Sequence, residues 1–277
     1  MGELHINWLT DVTIILYALS VLGYFIDFLQ NNRKVNRLAF WLLSIVWFLQ
    51  TVSIIYKYMM TERFPVLTIF EGLLFYSWVL VTLSLLINRL SRIDFIVFFT
   101  NVLGFLMLSL HLFMPTDQVP LVVQAQLMSE LLSIHITMAL IAYGAFTFAF
   151  VFSGMYLLQH QMLKQKKWTI RMKRFGNLSR LENLAYYSTM LGVPLLLLSI
   201  ILGIIWAMAK LTIFVWLDPK VLTTLFIIGL YSFYLYMKVT EKKQGKSLAW
   251  INIMAFLCVL INLFLSTRLS NFHLWYQ

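Results

Sequence analysis

Eight stretches of this chain are each long enough and apolar enough to cross a bilayer, and that pattern decides most of what the chain can become. They run over 8–29, 38–56, 65–87, 95–114, 131–158, 185–208, 221–238 and 248–267. Crossing the hydrocarbon as a helix takes about 20 mostly apolar residues. Lipid offers the backbone no partner, so a crossing segment must satisfy its own peptide groups. The expected fold is all-α: a polytopic bundle of eight transmembrane helices forming one membrane domain over 1–277. Composition agrees, with 61% hydrophobic and only 12% charged residues, against about 25% charged in soluble domains. A transmembrane barrel would alternate apolar and polar residues, whereas these stretches are continuously apolar. A cleavable leader would open on basic residues; here the first is Arg33, so the first stretch reads as a retained helix.

Lysine and arginine set the expected orientation. Sixteen of the 21 lie in four loops: Arg33, Lys34 and Arg37; Arg89 and Arg92; Lys164, Lys166, Lys167, Arg171, Lys173, Arg174 and Arg180; and Lys238, Lys242, Lys243 and Lys246. Only Lys57, Arg63, Lys210, Lys220 and Arg268 fall on the other side. Cytoplasmic loops collect such residues, which places both termini outside. The net charge of +10 follows from this bias and from anionic headgroups, and does not imply nucleic acid. Cys258 is the single cysteine, so an intrachain disulfide and a CxxC redox role are excluded.

Several polar residues sit where lipid makes them expensive. Asp27 lies at the cytoplasmic end of the first crossing beside Arg33 and Lys34, and an interfacial ion pair is its expected role. Pro65 suits the first turn of a helix, which puts Glu71 about two turns inside the third crossing. An intramembrane carboxylate is either functional or a polar tie between helices, and the sequence leaves both open. Residues 115–130 form an external stretch with amphipathic spacing, expected to lie as a helix on the membrane surface. The loop 159–184 interleaves basic and apolar residues. It reads as a surface helix or as a docking site for a soluble partner.

Histidine placement points to a ligand. His5, His111, His135 and His273 fall on the external side and only His160 on the cytoplasmic side. His111 and His135 lie near the external ends of the fourth and fifth crossings. A neutral imidazole in an apolar setting is a good axial ligand for haem iron; a bond between helices is the other use for each. No Walker loop, HExxH, GxSxG or soluble-enzyme carboxylate pair occurs in the chain, and the expectation is a non-enzymatic protein. Gly192-Val193-Pro194 is a candidate broken helix of transporter type, without a counterpart in the first half.

The ordered set Pro65…Glu71, His135 with Ala142-Tyr143-Gly144-Ala145-Phe146, Trp206-Ala207, Asp218-Pro219-Lys220, Tyr231, Tyr234 and Asn262…His273 resembles the haem-handling cytochrome c assembly proteins of the CcsA/ResC type. The resemblance covers roughly 65–277. It implies haem as cofactor, with His135 and His273 as the iron-ligating pair, His111 in reserve, and Trp206, Trp216 and Asp218 beside the haem. That family carries an external motif of the form W-G-x-x-W-x-W-D-P-K-E. Aligned on Asp218, its tryptophans fall on Leu211, Val215 and Leu217, its glycine on Thr212 and its glutamate on Val221, with Trp216 one residue out of register. With eight crossings, this degenerate motif and the stretch Asp27–Arg33 to Phe64–Thr68, the whole chain looks more like the HemX-type proteins of haem-biosynthesis clusters in Gram-positive bacteria. Those are associated with lowering the level of glutamyl-tRNA reductase. The resemblance then implies a haem-binding cell-membrane protein that restrains haem synthesis, with the reductase as partner through the 160–180 loop. The competing readings are a haem exporter or ligation component of cytochrome c assembly, and an unrelated small-molecule transporter.

The charge asymmetry makes the orientation directly measurable. In a Cys258→Ser background, Lys34→Cys, Trp168→Cys and Lys243→Cys are expected to be shielded from an impermeant thiol reagent in intact cells. Asp117→Cys, Leu217→Cys and Phe272→Cys are expected to be labelled, and the reverse pattern would invert the topology.

Overall fold

A helix lies within each of the eight apolar stretches in the structure, a computed structural model that describes residues 2–91, 94–110, 130–166, 177–210 and 218–264, with side chains over 8–88, 95–110, 130–166, 177–209 and 218–264. In chain order the helices are α1 (Gly2–Gln30), α2 (Arg33–Thr61), α3 (Ile69–Ser91), α4 (Asp94–Leu110), α5 (Glu130–Lys164), α6 (Leu178–Lys210), α7 (Pro219–Val239) and α8 (Lys246–Phe264). No strand occurs among the described residues. Seven helices are long and apolar enough to cross a membrane, and α4 is a shorter apolar helix. The chain is a multi-pass membrane protein. The expected surface helix at 115–129 and the centre of the basic loop, 167–176, lie outside the described residues. The flanks of that loop belong to the crossings themselves, because α5 continues to Lys164 and α6 begins at Leu178.

The described helices group into two units, α1–α4 and α5–α8. In the first, α1 packs on α2, α2 on α3, α3 on α4 and α4 back on α1. In the second, the sequence α5, α6, α7, α8 closes in the same way, with α5 and α6 forming the most extensive pair. Each unit is thus a ring of four consecutive helices, each packed on the next and the fourth on the first.

Polar residues stop and start the helices. The Asn32 side chain caps α2 by accepting from the backbone N–H of Lys34 at 3.1 Å and of Val35 at 3.4 Å. The Asn177 side chain accepts from Ser179 N–H at 3.1 Å at the start of α6. Gly245, at φ +62°, precedes α8; a side chain there would meet both a left-handed backbone and the Tyr156 hydroxyl. Side-chain oxygens at such ends satisfy donors that a helix leaves unpaired. Pro194 sits inside α6, which nevertheless continues from Leu178 to Lys210, so the expected break at Gly192-Val193-Pro194 is not one. Proline removes one ladder bond there, and the helix holds through packing: Gly192 lies directly under the Phe146 ring of α5.

The start of α3 corrects the expectation for Pro65 and Glu71. The helix begins at Ile69, four residues past Pro65, and Glu71 is in its first turn. The Thr68 hydroxyl accepts from Glu71 N–H at 3.1 Å while the Glu71 carboxylate accepts from Thr68 N–H at 3.2 Å and Leu67 N–H at 3.0 Å. This reciprocal arrangement is a capping box. The same carboxylate holds the Arg63 guanidinium in two bonds of 3.0 Å. Glu71 is therefore a structural, ion-paired group. Asp27 is fully buried, and its carboxylate accepts from the Asn36 amide at 2.8 Å.

Between α2 and α3 two identical motifs interlock. Trp47 Nε1–H donates to Thr82 Oγ1 and Trp78 Nε1–H donates to Thr51 Oγ1, each at 2.9 Å. Each threonine hydroxyl in turn donates to the carbonyl of the tryptophan one turn before it, at 2.7 Å. Trp-x3-Thr on one helix thus closes on Trp-x3-Thr of its antiparallel neighbour. Across the unit, Tyr17 donates to Asn101 Oδ1 at 2.8 Å, and Asn101 Nδ2 donates to Ser84 Oγ at 2.8 Å. These bonds tie α1, α3 and α4 where lipid could not serve.

Removing the Glu71 carboxylate strands a largely buried guanidinium and two backbone donors. Glu71→Ala is expected to lower unfolding stability in detergent by about 3 kcal/mol, the cost of breaking a buried pair from one side. Glu71→Gln, which can still accept the backbone bonds, is expected to lose less.

Candidate functional site

α5 begins, α6 ends, α7 begins and α8 ends at one and the same end of the second unit. Of the polar residues that the sequence singles out in this half, His135 and Asp218 lie at helix starts at this end. His135 is on α5, just over one turn after Glu130, and its imidazole is half-buried. Its Nδ1 lies 2.5 Å from the Ser199 backbone carbonyl of α6. A carbonyl only accepts, so Nδ1 carries the proton and Nε2 keeps its lone pair. Ser199 completes the contact through its hydroxyl, which donates to the His135 carbonyl at 2.8 Å and lies 3.1 Å from Nδ1. One turn along α6, Gly203 presents bare backbone to the ring. No hydrogen-bond partner of Nε2 occurs among the described residues.

The other sequence candidates separate. Trp206 is buried on α6, one turn beyond Gly203 on the stripe that also holds Ser199, at the i, i+4, i+7 spacing of a buried face. Asp218 is the N-cap of α7: its carboxylate accepts from Lys220 N–H at 2.9 Å, with Pro219 in the first turn. Asp-Pro-Lys is therefore a helix-start signal of the ordinary kind. His111, Trp216 and His273 lie outside the described residues.

Beneath His135 the remaining residues of the ordered set make the core. Asn262 of α8 donates to the Tyr143 hydroxyl of α5 at 2.9 Å and to Thr224 Oγ1 of α7 at 3.1 Å, and accepts from Thr223 Oγ1 at 2.7 Å. Phe146 stacks on Tyr231 with centroids 3.9 Å apart and planes within 5°. At the opposite end of the unit, Lys238 pairs with Glu182 at 2.5 Å beside a small cleft lined by Ser153, Tyr156 and Tyr234.

Ser199 and Gly203 are site residues that the sequence reading missed. Their signal was the Ser-x3-Gly spacing in an apolar helix, which marks close helix approach.

A family model described as cytochrome C assembly protein matches residues 66–273. The chain belongs to the cytochrome c assembly protein family. It is 54% identical over 97% of its length to Protein HemX of Bacillus subtilis (strain 168), and covers 97% of that protein. It is 48% identical to Protein HemX of Brevibacillus brevis, over 98% of this chain and 99% of that one. It is 24% identical to the cytochrome c biogenesis protein CcsA of Mesostigma viride, over 91% of this chain and 90% of that one. Within the cytochrome c assembly family it is a HemX-like membrane protein.

The cap assignment separates two roles for Asp218. Asp218→Asn is expected to leave detergent stability unchanged, because asparagine caps as well as aspartate. Asp218→Ala is expected to cost about 1 kcal/mol, read from thermal unfolding.

Proposed function

We propose that the chain is a haem-binding, non-enzymatic membrane protein of a single eight-helix domain, with both termini outside, that lowers the level of glutamyl-tRNA reductase. The observation that carries the haem reading is the hydrogen bond from His135 Nδ1 to the Ser199 carbonyl. Metal-ligating histidines commonly donate their second nitrogen to a carbonyl or carboxylate, which leaves the other ready to ligate. Among the described residues no cluster of three or more His, Cys, Asp and Glu side chains could hold a bare metal ion. One or two imidazoles suffice for iron whose equatorial positions a porphyrin fills. His135, with its Nδ1 committed to a carbonyl, fits such a group. His135 and His273 are the proposed ligands, His111 the reserve, with Trp206 and Trp216 as apolar neighbours and Lys220 as a cation able to pair with a propionate. Bound there, haem would supply a signal of its own abundance.

Support for the reductase reading is of a different kind. The chain is similar to HemX proteins over nearly its full length. Leu211, Val215, Leu217 and Val221 stand where the ligation motif would place tryptophans and glutamate. Asp218 has a capping task to account for it without haem. The basic segment from His160 to Arg180 is the surface we assign to the soluble partner, since α5 and α6 lead into it from the His135 end.

Purified protein titrated with haem should give a low-spin absorption band that is lost in His135→Ala; a His135→Ala His273→Ala double variant that binds as wild type would refute the ligand pair. Deleting the protein should raise reductase and porphyrin while c-type cytochromes still mature. Neutralising Lys166, Lys167, Lys173 and Arg174 together should mimic the deletion. Loss of covalent cytochrome c with unchanged reductase would favour a role in cytochrome c assembly instead.

A further inference from the structure

We infer that Ser199 and Gly203 are positioning residues that set the tautomer and ring plane of His135, an inference resting on the reading of His135 as a haem ligand. In an α-helix the carbonyl of residue 199 receives the N–H of residue 203. A carbonyl oxygen has a second lone pair, and His135 Nδ1 takes it at 2.5 Å. That approach passes directly over Gly203. A Cβ built there would stand 2.6 Å from Cε1, 2.8 Å from Nδ1 and 3.1 Å from Nε2 of the imidazole, closer than side chains pack. The ring therefore reaches the carbonyl only because residue 203 has no side chain. Ser199 fixes the other degree of freedom. Its hydroxyl donates to the His135 carbonyl at 2.8 Å and lies 3.1 Å from Nδ1, which holds backbone and ring of α5 against the same turn of α6.

The consequence is chemical. With Nδ1 committed to the Ser199 carbonyl, the lone pair is confined to Nε2, and the direction in which Nε2 points is set by α6 although the histidine belongs to α5. Ligation at this site then depends on the register of the α5–α6 pair, through two residues that touch no ligand themselves.

The test uses the full chain in detergent with 15N-labelled histidine, and ferric haem (haemin) as the probe. In the haem-free protein, the resonance that disappears in His135→Ala should report an Nδ1-protonated, hydrogen-bonded ring. Gly203→Ala should abolish that tautomer signature and weaken haemin binding by about 10- to 100-fold, as loss of an outer partner does at metal sites, with the helix content retained. Ser199→Ala is the second variant, should Gly203→Ala not fold. It keeps the carbonyl and removes both hydroxyl contacts, and should shift the Nδ1 resonance and weaken binding severalfold. An unchanged His135 resonance in both variants overturns the inference, as does wild-type haemin affinity in both when His135→Ala has lost it. Wild-type affinity in His135→Ala instead refutes the ligand reading, and the haem-free resonances still decide the positioning role.

Discussion

Hydrocarbon offers no hydrogen-bond partner, so a polar side chain carried into the bilayer by one helix has to be met by another. Both units answer this demand with the same device. In the first, an asparagine on the fourth helix, Asn101, joins a tyrosine on the first, Tyr17, to a hydroxyl on the third, Ser84. In the second, Asn262 joins Tyr143 to Thr224, again fourth helix to first to third. An amide has two donors and an acceptor, enough to serve two neighbouring helices at once. Apolar contacts between helices gain little over contacts with lipid tails. The directional bonds of these two hubs, with the Trp47–Thr82 and Trp78–Thr51 pair, thus decide which helix stands beside which.

The family resemblance acquires a physical meaning from this core. Tyr143, Phe146, Tyr231 and Asn262 bear no sign of ligand chemistry: they bond or stack with one another beneath His135. Asp218 and Pro219 start α7. What the ordered set of residues reports is chiefly a scaffold that holds four helix ends together. Capping a helix and flanking a ligand are separate requirements on one short segment, and Asp218-Pro219 meets the first.

The eight apolar helices, seven of them long enough to cross a membrane, were legible because apolar run length specifies them. Their ends were less so. Pro65 suggested an early start for α3, and the Thr68-x-x-Glu71 box three residues later prevailed, since it satisfies two backbone donors where proline satisfies none. Glu71 read as an intramembrane carboxylate only while Arg63, eight residues earlier, was counted with the loop. His135 was legible as an imidazole near a helix end. Its partner Ser199 was not, because the pairing depends on the relative register of α5 and α6, which no local pattern of either helix encodes. Gly203 was invisible for the same reason: a glycine in an apolar helix declares close approach but not what approaches.

Asn262 and His135 differ in how much bonding capacity they leave unspent. Both the oxygen and the nitrogen of the Asn262 amide are engaged by neighbouring helices, whereas His135 engages its neighbour through Nδ1. The amide that ties the helices and the imidazole proposed as a ligand therefore sit on different residues. Changing His135 loosens one contact between α5 and α6, whereas changing Asn262 unties α8 from both α5 and α7 at once. Substitutions at the helix ends are therefore expected to cost this bundle less than substitutions at its hubs.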